Sequence, residues 1–380
     1  MRLVQFNSDL LTKDEDLQAK AYYDKLYSGV RRGYYRFGPT WEIPKWMAEV
    51  AYNFPEADIL FADSMDDIYD RIDDTNCERP DALAFSALDC NKHLIREIAN
   101  RFSGQIFVGG YCDQNYFSVD CPENSNIYMF WMNSVEELCH FCGRDYKSGV
   151  SYQHFAGAKT IARLTMSIGC RHHCKFCTVP NDIIKIPREE VFSQADDITR
   201  HLNSPLIYLD DKTFGQAENF WMLPQLFQHI ASRMNEAFDG FIIQTTASQL
   251  LKLDDDFLLQ SGIRYVELGV ESYNDRILRA MRKPVSERII QTAVNKLKRL
   301  GISVIPNIMI GLPEETPDSY RHTIQWLHKN IDAISHVNVY TYVDYNETET
   351  VDENRGGDTK QDKKFAEAVY EFGNRCLEKG

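Results

Sequence analysis

Short apolar runs alternate with helix-period stretches along most of the chain. Over the first 150 residues, RLVQFN (2–7), ADILFAD (57–63), ALAFSAL (82–88), QIFVGG (105–110) and NIYMFWM (126–132) each read as a buried strand. They are short, apolar and closed by Gly, Asp, Ser or Asn. Between them PKWMAEVAYNF, MDDIYDRI and NKHLIREIANRF carry apolar residues at helical spacing. Strands alternating with helices predict a parallel, doubly wound sheet, which binds ligands at the carboxyl ends of its strands. Residues 143–160 have little periodicity and read as a linker. A second series begins at 161, with strands in ARLTMSI, LIYLD, FIIQTT, YVELGV, VIPNIMIGL and HVNVYTYV and helices over 187–201, 219–235, 285–300 and 317–329. Six such units are too few to close an eight-stranded barrel. After Val343 an acidic, polar stretch precedes a last helix, KFAEAVYEFGNRCLEKG.

Composition narrows the classes. The 380 residues allow two domains, and 43% hydrophobic content is ordinary for a globular chain. No apolar run is long enough for a membrane span, and the first twenty residues lack the basic and apolar regions of a signal peptide. Ten cysteines fit a reducing compartment better than a disulfide framework, so the cytoplasm is the expected location. The formal charge of −14 disfavours nucleic acid as a partner. The basic stretch LRAMRKPVSERIIQTAVNKLKR reads as a helix with a solvated charged face.

Cys170, Cys174 and Cys177 in IGCRHHCKFCTVP carry the chemistry. The C-x3-C-x2-C spacing offers three thiolates to an iron–sulfur cube and leaves one iron without a protein ligand, where an electron-transfer cube takes four cysteines. Zinc asks for a fourth Cys or His at a regular offset, and His172 and His173 match no common zinc pattern. The run, with Phe176 before its third cysteine, resembles the cluster motif of the radical S-adenosylmethionine (radical SAM) superfamily. That resemblance implies an α/β architecture: an N-terminal doubly wound parallel sheet over 1–150, a partial (β/α)6 barrel over 155–345, and an acidic loop with a C-terminal helix over 346–380. It also implies a 4Fe–4S cluster as metal centre, SAM bound at its open iron and split reductively, and a reductant such as flavodoxin or ferredoxin.

The resemblance extends along the strand ends and covers roughly residues 160–345. Tyr208, Asp210 and Asp211 in YLDDKTF resemble a variant of the loop that takes the SAM ammonium, which a carboxylate can accept. Asp211 read alone serves equally as a turn cap. Gln244 ends the third strand. In VELGVESYNDRILRAMRK, Glu271 and Ser272 resemble the run whose acid holds the ribose hydroxyls, and Glu267 points the same way by strand alternation. Ile310, Gly311 and Leu312 resemble the segment beside the adenine, with Tyr340 and Tyr342 as partners for its edge.

In the first domain, Ser86-Ala87-Leu88 and Gly109-Gly110 resemble the S-x-L and G-G signatures of the cobalamin-binding fold. The D-x-H-x-x-G signature after the first strand is missing, where this chain has NSDLLTKD. Two states stay open: cobalamin bound without that histidine, or a domain without cobalamin. The leading expectation is therefore a radical SAM enzyme, with or without cobalamin, that methylates or rearranges a small molecule or peptide. A tRNA methylthiotransferase is the first alternative, because GCRHHCKFCTVP is close to that family's loop; Cys77, Cys90 and Cys112 are not at obvious equivalent strand ends. A cobalamin- or SAM-binding sensor is the second. Cys112, Cys121, Cys139 and Cys142 read either as buried thiols or as a second metal site.

Overall fold

The structure, a computed structural model, describes residues 1–6, 17–28, 43–73, 80–88, 91–111, 114–117, 126–130, 134–158, 160–234, 237–344 and 356–379. The chain divides into two compact units: Met1–Leu17 with Arg36–Thr160, and Gln18–Tyr35 with Ile161–Gly380. Helix α1 (Leu17–Ser28) falls almost wholly in the second and is described with it.

In the first unit β1 (Arg2–Phe6), β2 (Asp58–Ala62), β3 (Ala82–Leu88), β4 (Gln105–Tyr111) and β5 (Ile127–Met129) form one parallel sheet in the order β2-β1-β3-β4-β5. All five apolar runs are strands. The middle of the sheet is apolar residue after residue, Ala82 to Phe85 being buried without interruption, because helices cover both faces of a doubly wound sheet. The helices are α2 (Lys45–Asn53), α3 (Met65–Asp73), α4 (Lys92–Arg101) and α5 (Ser134–Phe141). Helix α4 turns Leu94, Ile95, Ile98 and Ala99 into a core that also holds Phe85, Ile106 and Val108. Strand order reverses between β1 and β3, which sets the ligand crevice of such a sheet at their carboxyl ends. The stretch read as a linker packs within this unit. Asn53 pairs through its amide with the backbone of Lys147, Ser151 N–H donates to Ala48 O at 2.9 Å, and Tyr152 and Phe155 are buried.

The second unit holds six parallel strands in chain order: β6 (Ala162–Leu164), β9 (Leu206–Leu209), β10 (Gly240–Thr245), β11 (Ile263–Glu271), β12 (Ser303–Ile310) and β13 (Asn338–Thr341). They form a curled half-barrel, the open form expected. Between β6 and β9 a small antiparallel ladder joins β7 (Ser167–Ile168) to β8 (Ile184–Lys185). The covering helices are α6 (Arg188–His201), α7 (Leu223–Ala231), α8 (Ala247–Leu250), α9 (Asp255–Gln260), α10 (Asp275–Ala280), α11 (Glu287–Arg299), α12 (Pro317–Lys329) and α13 (Lys360–Lys379). Helix α12 starts where its sequence says it should: Thr316 and Ser319 form a capping box, with Pro317 just inside. Ile161, Leu206, Tyr208, Ile242 and Ile305 form an apolar cluster across the strands.

The basic stretch 278–299 is not one solvated helix. It breaks between α10 and α11, and Lys283, in the break, has a side chain only 8% exposed. The cause is local: Pro284 disfavours helix at the residue before it, and Ser286 caps α11 by accepting from Ile289 N–H.

Helix α1 guards the β13 edge. Tyr22 Oη donates to Val337 O at 2.8 Å and accepts from Val337 N–H at 3.0 Å; Tyr23 Oη does the same with Val339 at 3.3 and 3.0 Å. Two phenols thus occupy backbone groups that an edge strand would leave open. Gly373 of α13 makes room for Tyr22, since a Cβ there would stand 2.5 Å from its ring. Among the described residues no helix is long and apolar enough to cross a membrane.

Candidate active site at the mouth of the half-barrel

The loop bearing the three cysteines runs between β7 and β8. Gly169 enters it at φ 91°, and a Cβ there would sit 2.0 Å from the Asp182 carbonyl oxygen, so only glycine fits. Cys170 N–H donates to Pro180 O at 2.9 Å. The Asn181 amide, oriented with its oxygen toward His173 Nδ1, donates to the carbonyls of Cys170 and His172. The far end is tied to the break after α10, where Lys175 N–H donates to Met281 O at 3.1 Å. Cys170 is buried, Cys174 half-buried and Cys177 exposed. The thiols of Cys170 and Cys177 both act electrostatically on Cys174. Burial pushes the Cys174 thiol up to about 11, against the pull of the Lys283 ammonium. Iron binding there must displace a proton.

The segment after β9 holds this loop from below. Asp211 is buried, accepting from Met166 N–H at 2.9 Å and from Ser167 Oγ at 2.5 Å. Burial lifts its carboxyl to about 6 despite both hydrogen bonds. Cys170 Sγ lies 3.2 Å from Thr213 Oγ1. Gln216 accepts from Arg171 N–H at 2.9 Å and meets His172 Nε2 at 2.9 Å. Burial and Lys283 lower the His172 pKa, so the neutral ring accepts from the Gln216 amide. Asn219 donates to the carbonyls of Met166 and Ile186. Asp211, read in the sequence as a cofactor contact or a turn cap, is thus committed to the loop. Asp210 pairs with Arg163 at 3.0 Å and Lys212 at 3.4 Å.

Glu271 closes β11 at φ 62°, next to a register shift against β12. A non-glycine residue held there stores backbone strain, which clusters at functional sites. Its Oε1 lies 2.6 Å from Lys283 Nζ, and both side chains are 8% exposed. Burial works to lower the Lys283 pKa, but the Glu271 carboxylate and Cys174 raise it. The ammonium also stands 5.5 Å from the Phe176 ring centroid. Gly269 makes the pairing possible, because a Cβ there would be 2.6 Å from Lys283 Nζ and 3.0 Å from Glu271 Oε1. Ser272 is buried beside Glu271.

Deeper in, Tyr208 Oη donates to Glu267 Oε2 at 2.8 Å and reaches Gln244 Oε1 at 3.4 Å. Burial and Glu267 push its phenol well above the ordinary value. The Arg163 guanidinium covers the Tyr208 ring at 4.4 Å. Tyr340 is 47% exposed, whereas Tyr342 is buried with Ile277, Met281 and Leu312, with Phe176 and Met309 packed against them. Ile310 is buried as well. Gly311 has φ 77° and donates its N–H to Tyr320 Oη, which in turn donates to Asp362 on α13 at 2.5 Å.

The Glu271–Lys283 pair thus lies beside Cys174 of the braced cysteine loop, and the Tyr208–Glu267–Gln244 hydrogen bonds link the neighbouring strands β9, β10 and β11. Sequence reasoning missed Arg163, Thr213, Gln216 and Lys283. For Lys283 a signal existed in the M-R-K-P break; for the others the residue types carry none.

In the first unit Ser86 and the exposed Leu88 end β3, and Gly109 and Gly110 lie in β4. A Cβ on Gly110 would stand 2.4 Å from Ala87 O, so packing alone requires glycine there, whereas one on Gly109 would make a tight 3.1 Å contact with Ser134 Cβ. NSDLLTKD, Cys77, Cys90, Cys112 and Cys121 lie outside the described residues. Cys139 is buried, Cys142 exposed, and burial raises the pKa of both thiols.

Residues 164–327 match the family model of the Radical SAM superfamily. The chain is 24% identical over 221 residues to a tRNA-2-methylthio-N(6)-dimethylallyladenosine synthase of Methylacidiphilum infernorum (isolate V4), covering 55% of this chain and 45% of that protein. It is 24% identical over 195 residues to threonylcarbamoyladenosine tRNA methylthiotransferase MtaB of Bacillus subtilis (strain 168), covering 48% and 42%. The chain thus spans less than half the length of these relatives. Among solved structures, it superposes on the radical SAM methyltransferase TsrM of Kitasatospora setae, with cobalamin and a 4Fe-4S cluster bound, at TM-score 0.59. That match has 12% identity and covers 90% of this chain and 72% of that one. It superposes on the cobalamin-dependent radical enzyme OxsB, with aqua-cobalamin and SAM bound, at TM-score 0.57, 14% identity, and coverage of 100% and 56%.

Proposed function

We infer that the chain, whose residues 164–327 match the Radical SAM superfamily model, is a cytoplasmic radical SAM enzyme that methylates or rearranges a small molecule or peptide, with cobalamin as a second cofactor. The observation that carries this is the family match over residues 164–327, which takes in the loop bearing Cys170, Cys174 and Cys177.

The donor set fits the cluster. The three thiols of the C-x3-C-x2-C spacing suit a cube with one open iron. Among the described residues no three His, Cys, Asp or Glu side chains, the three thiols included, stand together as a ready metal site, so the fit rests on the number and spacing of the cysteines. For cobalamin the support is the sheet order of the first unit and the ligands named for TsrM and OxsB. Gly110 adds nothing, since packing explains it.

When bound, the cluster and SAM supply one-electron reductive cleavage to a 5′-deoxyadenosyl radical that abstracts hydrogen. The chain's residues bind and orient. Cys170, Cys174 and Cys177 would hold the iron. Lys283 stabilises the thiolate of Cys174 and offers its cation to a carboxylate, while Glu271 presents acceptors suited to a vicinal diol. Asp211, Gln216 and Asn219 keep the loop in place. Tyr208, Glu267, Gln244 and Tyr340 form the polar wall on which a substrate would rest.

Anaerobic reconstitution tests this. The chain is expected to take up about four irons and to release 5′-deoxyadenosine from SAM under reductant. Cys174→Ala is expected to lose both, and an iron-free wild type refutes the reading. The methylthiotransferase relatives support a second reading, in which the N-terminal cysteines hold a further cluster. About eight irons per chain would favour it.

A further inference from the structure

Cys170 and Thr213 meet away from water. The cysteine is 8% exposed and the threonine 4%, with Sγ and Oγ1 3.2 Å apart. Thr213 Oγ1 also donates its proton to its neighbour's carbonyl, Lys212 O, at 2.8 Å. In the iron-free chain the Cys170 thiol is therefore the donor to Thr213. A sulfur bound to iron has no proton to give. The contact survives only if the hydroxyl, a free rotor, swings its proton from Lys212 O to the sulfur.

We propose that Thr213 donates this hydrogen bond to the ligating sulfur of Cys170 and thereby raises the cluster's reduction potential. The proposal rests on the radical SAM reading above. Hydrogen bonds to cluster sulfurs tune potential, and one in a dry site acts at full strength. Reduction adds negative charge that spreads onto the sulfurs, so a donor stabilises the reduced state more than the oxidised one. Thr213 acts through Cys170 and is a positioning residue. Its backbone surroundings are held independently: Phe214 N–H donates to Gln244 O at 2.8 Å, and Gln216 braces the loop beyond it.

The test compares wild type with Thr213→Val and Thr213→Ser, reconstituted anaerobically and matched for iron and sulfide, in a redox titration followed by electron paramagnetic resonance. Thr213→Ser is expected to titrate with wild type. Thr213→Val is expected to be about tenfold harder to reduce, which is about 59 mV more negative for one electron. A fully loaded Thr213→Val with the wild-type midpoint overturns the proposal. Should that variant fail to assemble its cluster, wild type and Thr213→Ser exchanged into deuterium oxide decide it. Both are expected to show an exchangeable deuteron coupled to the reduced cluster, and its absence in wild type overturns the proposal. A wild type without iron removes the family reading, and the proposal with it, before any variant is compared.

Discussion

Asp211 is ionised in a place that resists ionisation, and the cost can be measured in the iron-free protein. Burial lifts its carboxyl from 3.8 to about 6. A rise of about two pH units, at 1.36 kcal/mol each, is about 3 kcal/mol. The sign follows from proton counts. Between about pH 4 and pH 6 the folded chain holds a proton that the unfolded chain has released, so stability falls as pH rises through that window and is flat above it. From pH 5 to pH 8 the wild type is expected to lose about 1.4 kcal/mol through this group alone. Asp211→Asn keeps the shape of the protonated carboxyl, with an acceptor oxygen and an N–H donor in place of the O–H, and does not titrate. Urea unfolding of both proteins at pH 5 and pH 8 isolates the effect, since every other carboxylate is common to them. The difference between the two is expected to move by about 1.4 kcal/mol in favour of the variant. A difference that stays constant, or moves the other way, refutes the reasoning. The same substitution removes the anion that holds Met166 N–H and Ser167 Oγ, so a steadier apo-protein is expected to keep its reconstituted cluster less well.

Two further substitutions probe the pair beside the cluster. Lys283→Met leaves the Glu271 carboxylate buried and unpaired, and is expected to cost about 3–5 kcal/mol in chemical unfolding of the apo-protein; a loss below about 1 kcal/mol would show that the pair is solvated. Gly269→Ala pushes the Lys283 ammonium from its seat, and is expected to weaken SAM binding in equilibrium dialysis at least tenfold with iron content unchanged.

The strands were legible because their burial is written in the apolar runs themselves. β3 is read correctly from ALAFSAL alone, since a strand covered on both faces needs no partner to identify it. The three cysteines stood out by their spacing and Glu271 by resemblance, and Glu271 is found paired with Lys283 beside Cys174. The bracing residues were not. Thr213 and Gln216 are ordinary polar residues whose work depends on a loop more than thirty residues earlier in the chain, a relation that no local pattern encodes. Arg163 likewise gains its meaning from Tyr208 on the adjoining strand. Lys283 was misread because charge at helical spacing usually marks a solvated face, and here Pro284 overrides the pattern. Helix α1 escaped notice for a similar reason: its role is set by the edge it covers.

That helix leaves the second unit discontinuous in sequence. The backbone passes from the first unit to the second, back, and over again, so a cut at residue 160 does not release an intact half-barrel. A fragment beginning at Ile161 forfeits Tyr22 and Tyr23 and bares the rim at Val337 and Val339, inviting fibre-like stacking of one fragment on the next. Module exchange, by an engineer or by recombination, has to carry that short tyrosine-bearing stretch along with the catalytic body.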